Sequence, residues 1–231
     1  MADDKDKHEP QAAPRWITAR HRVSIWGKVF DGVTQKPVAG ADVTLTRMPA
    51  ALESTLGRMA QYAGSEWDTR TQRPDRTRSR ADGLYYFLDL PDGDYEICAL
   101  LPNCGRRYGE VRQKKKVPRG DLNKSGQEAL KGMWLGLALP PTLIRGRIYD
   151  AAKQAGVKMA EVRLKRSGER AFSGAKGDFT LGPIEASEKA ERTLECFAQG
   201  YAPKEKSRIV VAKAGQLLEL GDINLESARR G

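Results

Sequence analysis

Two stretches of this chain repeat one another without a gap. Residues 27–47 read GKVFDGVTQKPVAGADVTLTR, residues 146–166 read GRIYDAAKQAGVKMAEVRLKR, and eight of the 21 aligned positions are identical. The identities are Gly27/Gly146, Asp31/Asp150, Gln35/Gln154, Val38/Val157, Ala41/Ala160, Val43/Val162, Leu45/Leu164 and Arg47/Arg166. The correspondence resumes downstream, where Ser79–Phe87 aligns with Ser173–Leu181, Tyr95–Ala99 with Leu194–Ala198, and Trp134–Leu139 with Leu220–Leu225. Self-similarity on this scale identifies one module used twice, and each copy must then bury a core of its own. A chain of 231 residues that is 39% hydrophobic and 30% charged suits two small domains, with much surface for their volume, better than one large core.

Local pattern sets the class. Val23, Ile25, Gly27 and Val29 alternate with Ser24, Trp26, Lys28 and Phe30, and Val43 and Leu45 alternate with Asp42, Thr44 and Thr46, the period of two of a half-buried strand. Turn chemistry separates the runs at Lys36-Pro37 with Gly40, at Asp82-Gly83, at Pro91-Asp-Gly93, at Gly156 and at Gly177. Short strands with regular turn signals predict an all-β chain of two tandem β-sandwiches. The predicted boundaries are a flexible arm over 1–21, module one over 22–140 and module two over 141–227, with Pro140-Pro141 as a short stiff hinge.

Module one departs from the repeat twice. An insertion at about 48–78 places Leu52, Leu56, Met59, Ala60 and Ala63 on one helical stripe, with Pro49 at its start and Gly64 past its end. Trp67 and an arginine-rich loop follow, with Arg70, Arg73, Arg76, Arg78 and Arg80. The second departure, after Pro102, carries Arg106-Arg107 and Lys114-Lys115-Lys116.

Pro37–Ala41 (PVAGA), Asp82–Tyr85 (DGLY) and Leu90–Tyr95 (LPDGDY) resemble the motifs of the carboxypeptidase regulatory-like domain. Module two is more divergent, with Gly156-Val-Lys-Met-Ala160 and Lys176-Gly177 at the matching places. The resemblance covers all but the arm and the insertion. It implies seven-strand sandwiches of prealbumin (transthyretin-like) or Ig-like type, a scaffold rather than a reaction centre.

Residues for chemistry are scarce. The histidines are His8 and His21, neither with a partner at ligand spacing, so no catalytic zinc site is expected. Hydroxyisourate hydrolases share the sandwich but use several histidines and an arginine, which this chain does not supply. Nucleophile elbows and phosphate loops are missing. Cys98 and Cys196 lie in apolar runs and read as buried thiols, and Cys104 as an idle loop cysteine. Asp82, Asp89, Asp92 and Asp94 read as turn residues rather than a calcium loop. A Lys–Asn isopeptide bond is not expected, because Lys28 on the first strand has Arg147 as its counterpart. The expectation is a non-enzyme with no cofactor and no metal.

The net charge of +10 is spread, with 19 Lys/Arg against 14 Asp/Glu in 22–140 and 17 against 12 in 141–231, so nucleic acid is a weak expectation despite a pI near 9.6. The first residues carry charges of both signs and no apolar run, and no 18-residue apolar stretch exists, so a cytoplasmic protein without a membrane span is expected. The expected function is a structural or adaptor subunit of a larger protein assembly, with a phage-tail-like contractile injection particle as one setting. Its contact residues would be Leu52, Leu56, Met59, Tyr62, Trp67, Arg70, Arg73, Arg76, Arg78, Arg106, Arg107 and Lys114–Lys116. The helix has two expected placements, on its own sandwich or docked into a neighbour through Tyr62 and Trp67. A nucleic-acid-associated basic protein is one alternative, and a carbohydrate- or ligand-binding accessory module is the other. The latter requires exposed aromatics on a sheet face, for which Trp26 and Trp134 are the strand candidates.

Overall fold

The computed structural model describes residues 21–70, 73–119 and 133–228; apart from His21, the expected arm over 1–21 lies outside them. The first half contains β1 (Val23–Asp31), β2 (Asp42–Arg47), α1 (Ala50–Ala63), β3 (Arg76–Arg78), β4 (Leu84–Leu88), β5 (Gly93–Leu100), β6 (Val111–Val117) and β7 (Leu137–Leu139). The second contains β8 (Leu143–Asp150), β9 (Ala155–Gly156), β10 (Glu161–Leu164), β11 (Arg170–Phe172), β12 (Asp178–Leu181), β13 (Arg192–Phe197), β14 (Lys204–Ile209) and β15 (Leu217–Asn224). Among the described residues the structure is β apart from α1 and a 3-10 turn at Gly64–Glu66.

The first-half strands form two sheets, β4-β1-β7 and β3-β2-β5-β6; the second-half strands form β12-β8-β15, with β9 beside β8, and β11-β10-β13-β14. The orders match strand for strand. In both halves the first and last strands run parallel, with Val29 opposite Leu137 and Ile148 opposite Ile223. Alternation dictates what each sheet buries. Ile25, Val29, Tyr85, Phe87, Leu137 and Leu139 meet Val43, Leu45, Ile97, Ala99 and Val117 in one core. Ile144, Ile148, Phe179, Leu181 and Ile223 meet Val162, Leu164, Leu194, Cys196 and Ile209 in a second core that shares no residue with the first.

Identical positions of the repeat perform identical tasks. Asp31 Oδ1 accepts from the amides of Val33 and Thr34, and Asp150 Oδ1 from those of Ala152 and Lys153, closing the turn after each first strand. The second oxygen of each accepts a tyrosine hydroxyl, Tyr108 at 2.8 Å and Tyr201 at 2.9 Å. Gln35 and Gln154 both take left-handed backbone, φ 59° and 50°. Buried Ser79 accepts from the Ala41 amide and donates to the Val38 carbonyl, and buried Ser173 does the same with Ala160 and Val157. Gly83 and Gly177 have φ of +78° and +84°, and a Cβ there would lie 2.5 Å from the Val29 carbonyl oxygen and 2.1 Å from that of Ile148. Only glycine fits such a place.

The insertion differs from its sequence reading in one respect. Arg76–Arg78 is not loop but strand β3, paired with β2 as β11 pairs with β10. The cause is the carboxylate of buried Asp42, which draws Arg76 (2.6 Å) and Arg78 (2.8 Å) onto the sheet edge. Helix α1 packs on its own sandwich, because Leu52 and Leu56 join the first core.

Pro140-Pro141 is not the sole connection between the halves. The loop after β5 lies against the second half. The Arg106 amide donates to Glu185 Oε1 (2.7 Å) and Arg106 Nη2 to the Ala212 carbonyl (2.9 Å). Arg107 Nη1 donates to the Pro183 carbonyl (2.9 Å), and its Nη2 pairs with Glu169 at 2.7 Å. Thr142 Oγ1 donates to the Arg106 carbonyl, and the Thr142 amide to that of Arg107.

Candidate functional site

Tight packing uses up much of what the sequence offers as contact surface. Leu52 and Leu56 are 9% and 8% exposed and anchor α1. One turn further on, Met59 is 42% exposed and Tyr62 93%. The helix ends at Gly64, whose φ of 57° and amide bond to the Ala60 carbonyl turn the chain away. Trp67 follows, half-buried, with the Arg73 guanidinium 4.8 Å from its ring centre. Arg73 also pairs with Asp75 at 2.9 Å, which fixes the cation on the indole. Met59, Tyr62, Ala63, Trp67, Arg70, Arg73 and Pro74 line one open groove of about 470 Å³.

The arginines separate by use. Arg73, Arg76 and Arg78 are held by Asp75 and Asp42, and Arg106 and Arg107 by the second half. Burial alone would raise the Asp42 carboxyl, but hydrogen bonds from Arg78 and Arg76 outweigh it and hold it below its ordinary value. Arg70 pairs with exposed Glu66 at 3.8 Å and stays at the surface. Lys114–Lys116 lie on β6, the outer strand of its sheet, with the Lys115 Nζ donating to the Trp134 carbonyl at 3.0 Å. Lys114 and Lys116 stand opposite Glu96 and Asp94, so this patch is of mixed charge. The predicted contact residues therefore fall into four places: α1 with Trp67, the β3 edge, the clasp between halves, and β6.

Trp26 and Trp134, the strand aromatics singled out in the sequence, join Tyr86 in a row that the sequence did not show. Trp26 pairs in register with Tyr86 on one side and bridges Trp134 on the other, placing the three side chains on the outward face of β4-β1-β7. Alternation already pointed Trp26 outward; the neighbours on both sides are non-local and needed the fold. Cys98 and Cys196 are buried as expected, and burial pushes both thiols up, Cys196 to about 11. Among the described residues no group of histidine, cysteine or carboxylate side chains is arranged to hold a metal ion, and no helix is long and apolar enough to cross a membrane.

No protein-family model matches the chain. No curated protein is similar to it. Among solved structures, the shaft pilin SpaA of Lactobacillus rhamnosus GG is similar over 92% of this chain and 99% of its own, at 14% identity and a TM-score of 0.38. The type II cohesin–X-dockerin complex of Acetivibrio cellulolyticus is similar over 37% of this chain and 58% of that one, at 17% identity and a TM-score of 0.32. The Bacillus anthracis TIE protein is similar over 89% of this chain and 34% of its own, at 14% identity and a TM-score of 0.33.

Proposed function

We propose that the chain is a non-enzymatic structural or adaptor subunit built from two tandem prealbumin-type modules, and that it meets a protein partner through α1 and the segment after it. The observation that carries this reading is the split along α1. Leu52 and Leu56 fix the helix in the first core while Tyr62, 93% exposed, and Met59, 42% exposed, stand on its far end beside Trp67 and Arg73. A rigid helix presenting an aromatic, a methionine and a stacked cation has the composition of an interface centre. Protein is favoured over nucleic acid because Arg73, Arg76, Arg78, Arg106 and Arg107 already serve carboxylates and carbonyls within the chain. The proposed setting is a large particle assembled in the cytoplasm, a phage-tail-like contractile injection system being one example.

The test is sedimentation of the tagged full chain from its native host. The reading expects migration with a megadalton fraction, and release from it on combining Met59→Ser with Tyr62→Ala while thermal unfolding stays unchanged. Free migration of the unaltered chain, or undisturbed assembly of the double variant, would overturn it.

A further inference from the structure

The outward face of β4-β1-β7 carries Tyr86 on β4, Trp26 on β1 and Trp134, bridged to Trp26 just before β7, in one row. Trp134 is 45% exposed, and Trp26 and Tyr86 are half-buried. Gly136 makes room for the row's end. A Cβ there would stand 2.6 Å from Trp134 Cη2 and 3.1 Å from Phe30 Cε1, so the indole lies down over the glycine beside the Phe30 ring. At the other end the Arg80 guanidinium sits 5.0 Å from the Tyr86 ring centre and donates to its hydroxyl at 2.8 Å. At that end Val23, Trp26, Arg80, Leu84, Tyr85 and Tyr86 line a shallow depression of about 290 Å³.

We infer that this face binds a linear polysaccharide, whose sugar rings stack on Tyr86, Trp26 and Trp134 while edge hydroxyls accept from Arg80 and Lys28. Size, charge and shape support this occupant. Strand spacing makes the row about 10 Å long, comparable with a disaccharide. The whole face, three strands wide and as long as β4, covers roughly 240 Å², far below the ~800 Å² per partner of a stable protein interface. Its outward strand residues include one cation, Lys28, and no carboxylate, while Arg80 flanks the Tyr86 end and Lys115 Nζ is held by the Trp134 carbonyl. A nucleic-acid strand would require a line of cations to follow its phosphates. A sugar chain instead presents apolar ring faces and hydroxyl edges, which match rings flanked by isolated donors.

The experiment is tryptophan fluorescence and calorimetric titration of the full chain with cellohexaose, xylohexaose, polygalacturonate and a 15-mer of oligo(dT). Saturable binding of at least one saccharide is expected, weakened about tenfold or more by Trp134→Ala and by Trp26→Ala. Arg145→Ala, on the matching face of the second half, should leave it unchanged, and circular dichroism should report a folded chain in each case. No binding of any saccharide overturns the assignment. So does binding indifferent to both tryptophan variants. Salt-sensitive binding of oligo(dT) that needs the same tryptophans, without saccharide binding, would reassign the face to nucleic acid.

Discussion

The outer faces of β4-β1-β7 and β12-β8-β15 occupy the same place in matching strand orders, yet one is aromatic and the other charged. Where the first half sets Tyr86, Trp26 and Trp134 side by side, the second sets Thr180 opposite Arg145, and Arg145 opposite Glu219 with an ion pair at 3.2 Å. Beneath these faces little has changed. Both halves keep the aspartate turn, the serine bridge and the left-handed glycine. The difference teaches that parts closing the backbone's hydrogen bonds and turns tolerate no exchange, because a buried unpaired group costs about 1–3 kcal/mol. Outward strand positions are held by no such demand and can diverge.

The largest effect should come from the shared glycines. Gly83→Ala and Gly177→Ala force a Cβ onto a carbonyl oxygen at positive φ. Each should cost about 3 kcal/mol or more in urea unfolding. Gly177, with the closer oxygen, should cost more. If either is silent, the equivalence of the two turns is broken. Next comes a residue without a counterpart in the second half: Leu52→Ala should cost about 2–3 kcal/mol through the first core and leave the second core's hydrogen exchange protection unaltered. Loss of protection in both would show that the cores do not unfold separately.

A smaller effect is expected at the clasp. Arg107→Ala removes the bonds to Pro183 and Glu169 and leaves Glu169 without its cation. It should lower stability by about 1 kcal/mol and enlarge the radius of gyration by small-angle scattering. An unchanged profile would assign orientation of the halves to Pro140-Pro141 alone.

The last effect is read on the acid limb and concerns the aspartate turns. The Lys153 amide, chiefly, holds the Asp150 carboxyl down to about 2 against its burial, helped by the Tyr201 hydroxyl and the Lys153 ammonium. At Asp31 burial pulls upward, but the Thr34 and Val33 amides and Tyr108 prevail and lower it. A carboxyl depressed in the folded state stabilises fully above its ordinary value of 3.8 and loses that contribution as pH falls through its folded value. Asp150→Asn should therefore flatten the fall in stability between about pH 4 and pH 2, with Asp31→Asn flattening the same acid limb. Parallel curves for variant and parent would remove Asp150 from the acid response.

Much of the strand pattern was legible in the chain, since alternation and turn chemistry are local. Val23–Phe30 and Asp42–Thr46 are strands as their period of two predicts, and Pro49 and Gly64 do bound the helix. The arginines misled because charge alone does not name a partner. Arg76 and Arg78 looked like an open loop until β2 brought Asp42 to them, 34 and 36 residues away in sequence.

What the sequence by itself determined was the all-β class, the alternation of strands such as Val23–Phe30 and Asp42–Thr46, and the recurrence of Asp31/Asp150, Ser79/Ser173 and Gly83/Gly177. Each depends on neighbours along the chain, so a short window specifies it. Tertiary structure alone decided which charges were spent inside, that Arg106 and Arg107 clasp the second half, and that Trp26 lies between Tyr86 and Trp134. Those outcomes arise from pairing strands far apart in sequence, where the geometry of the closed sheet, not local propensity, selects the neighbours.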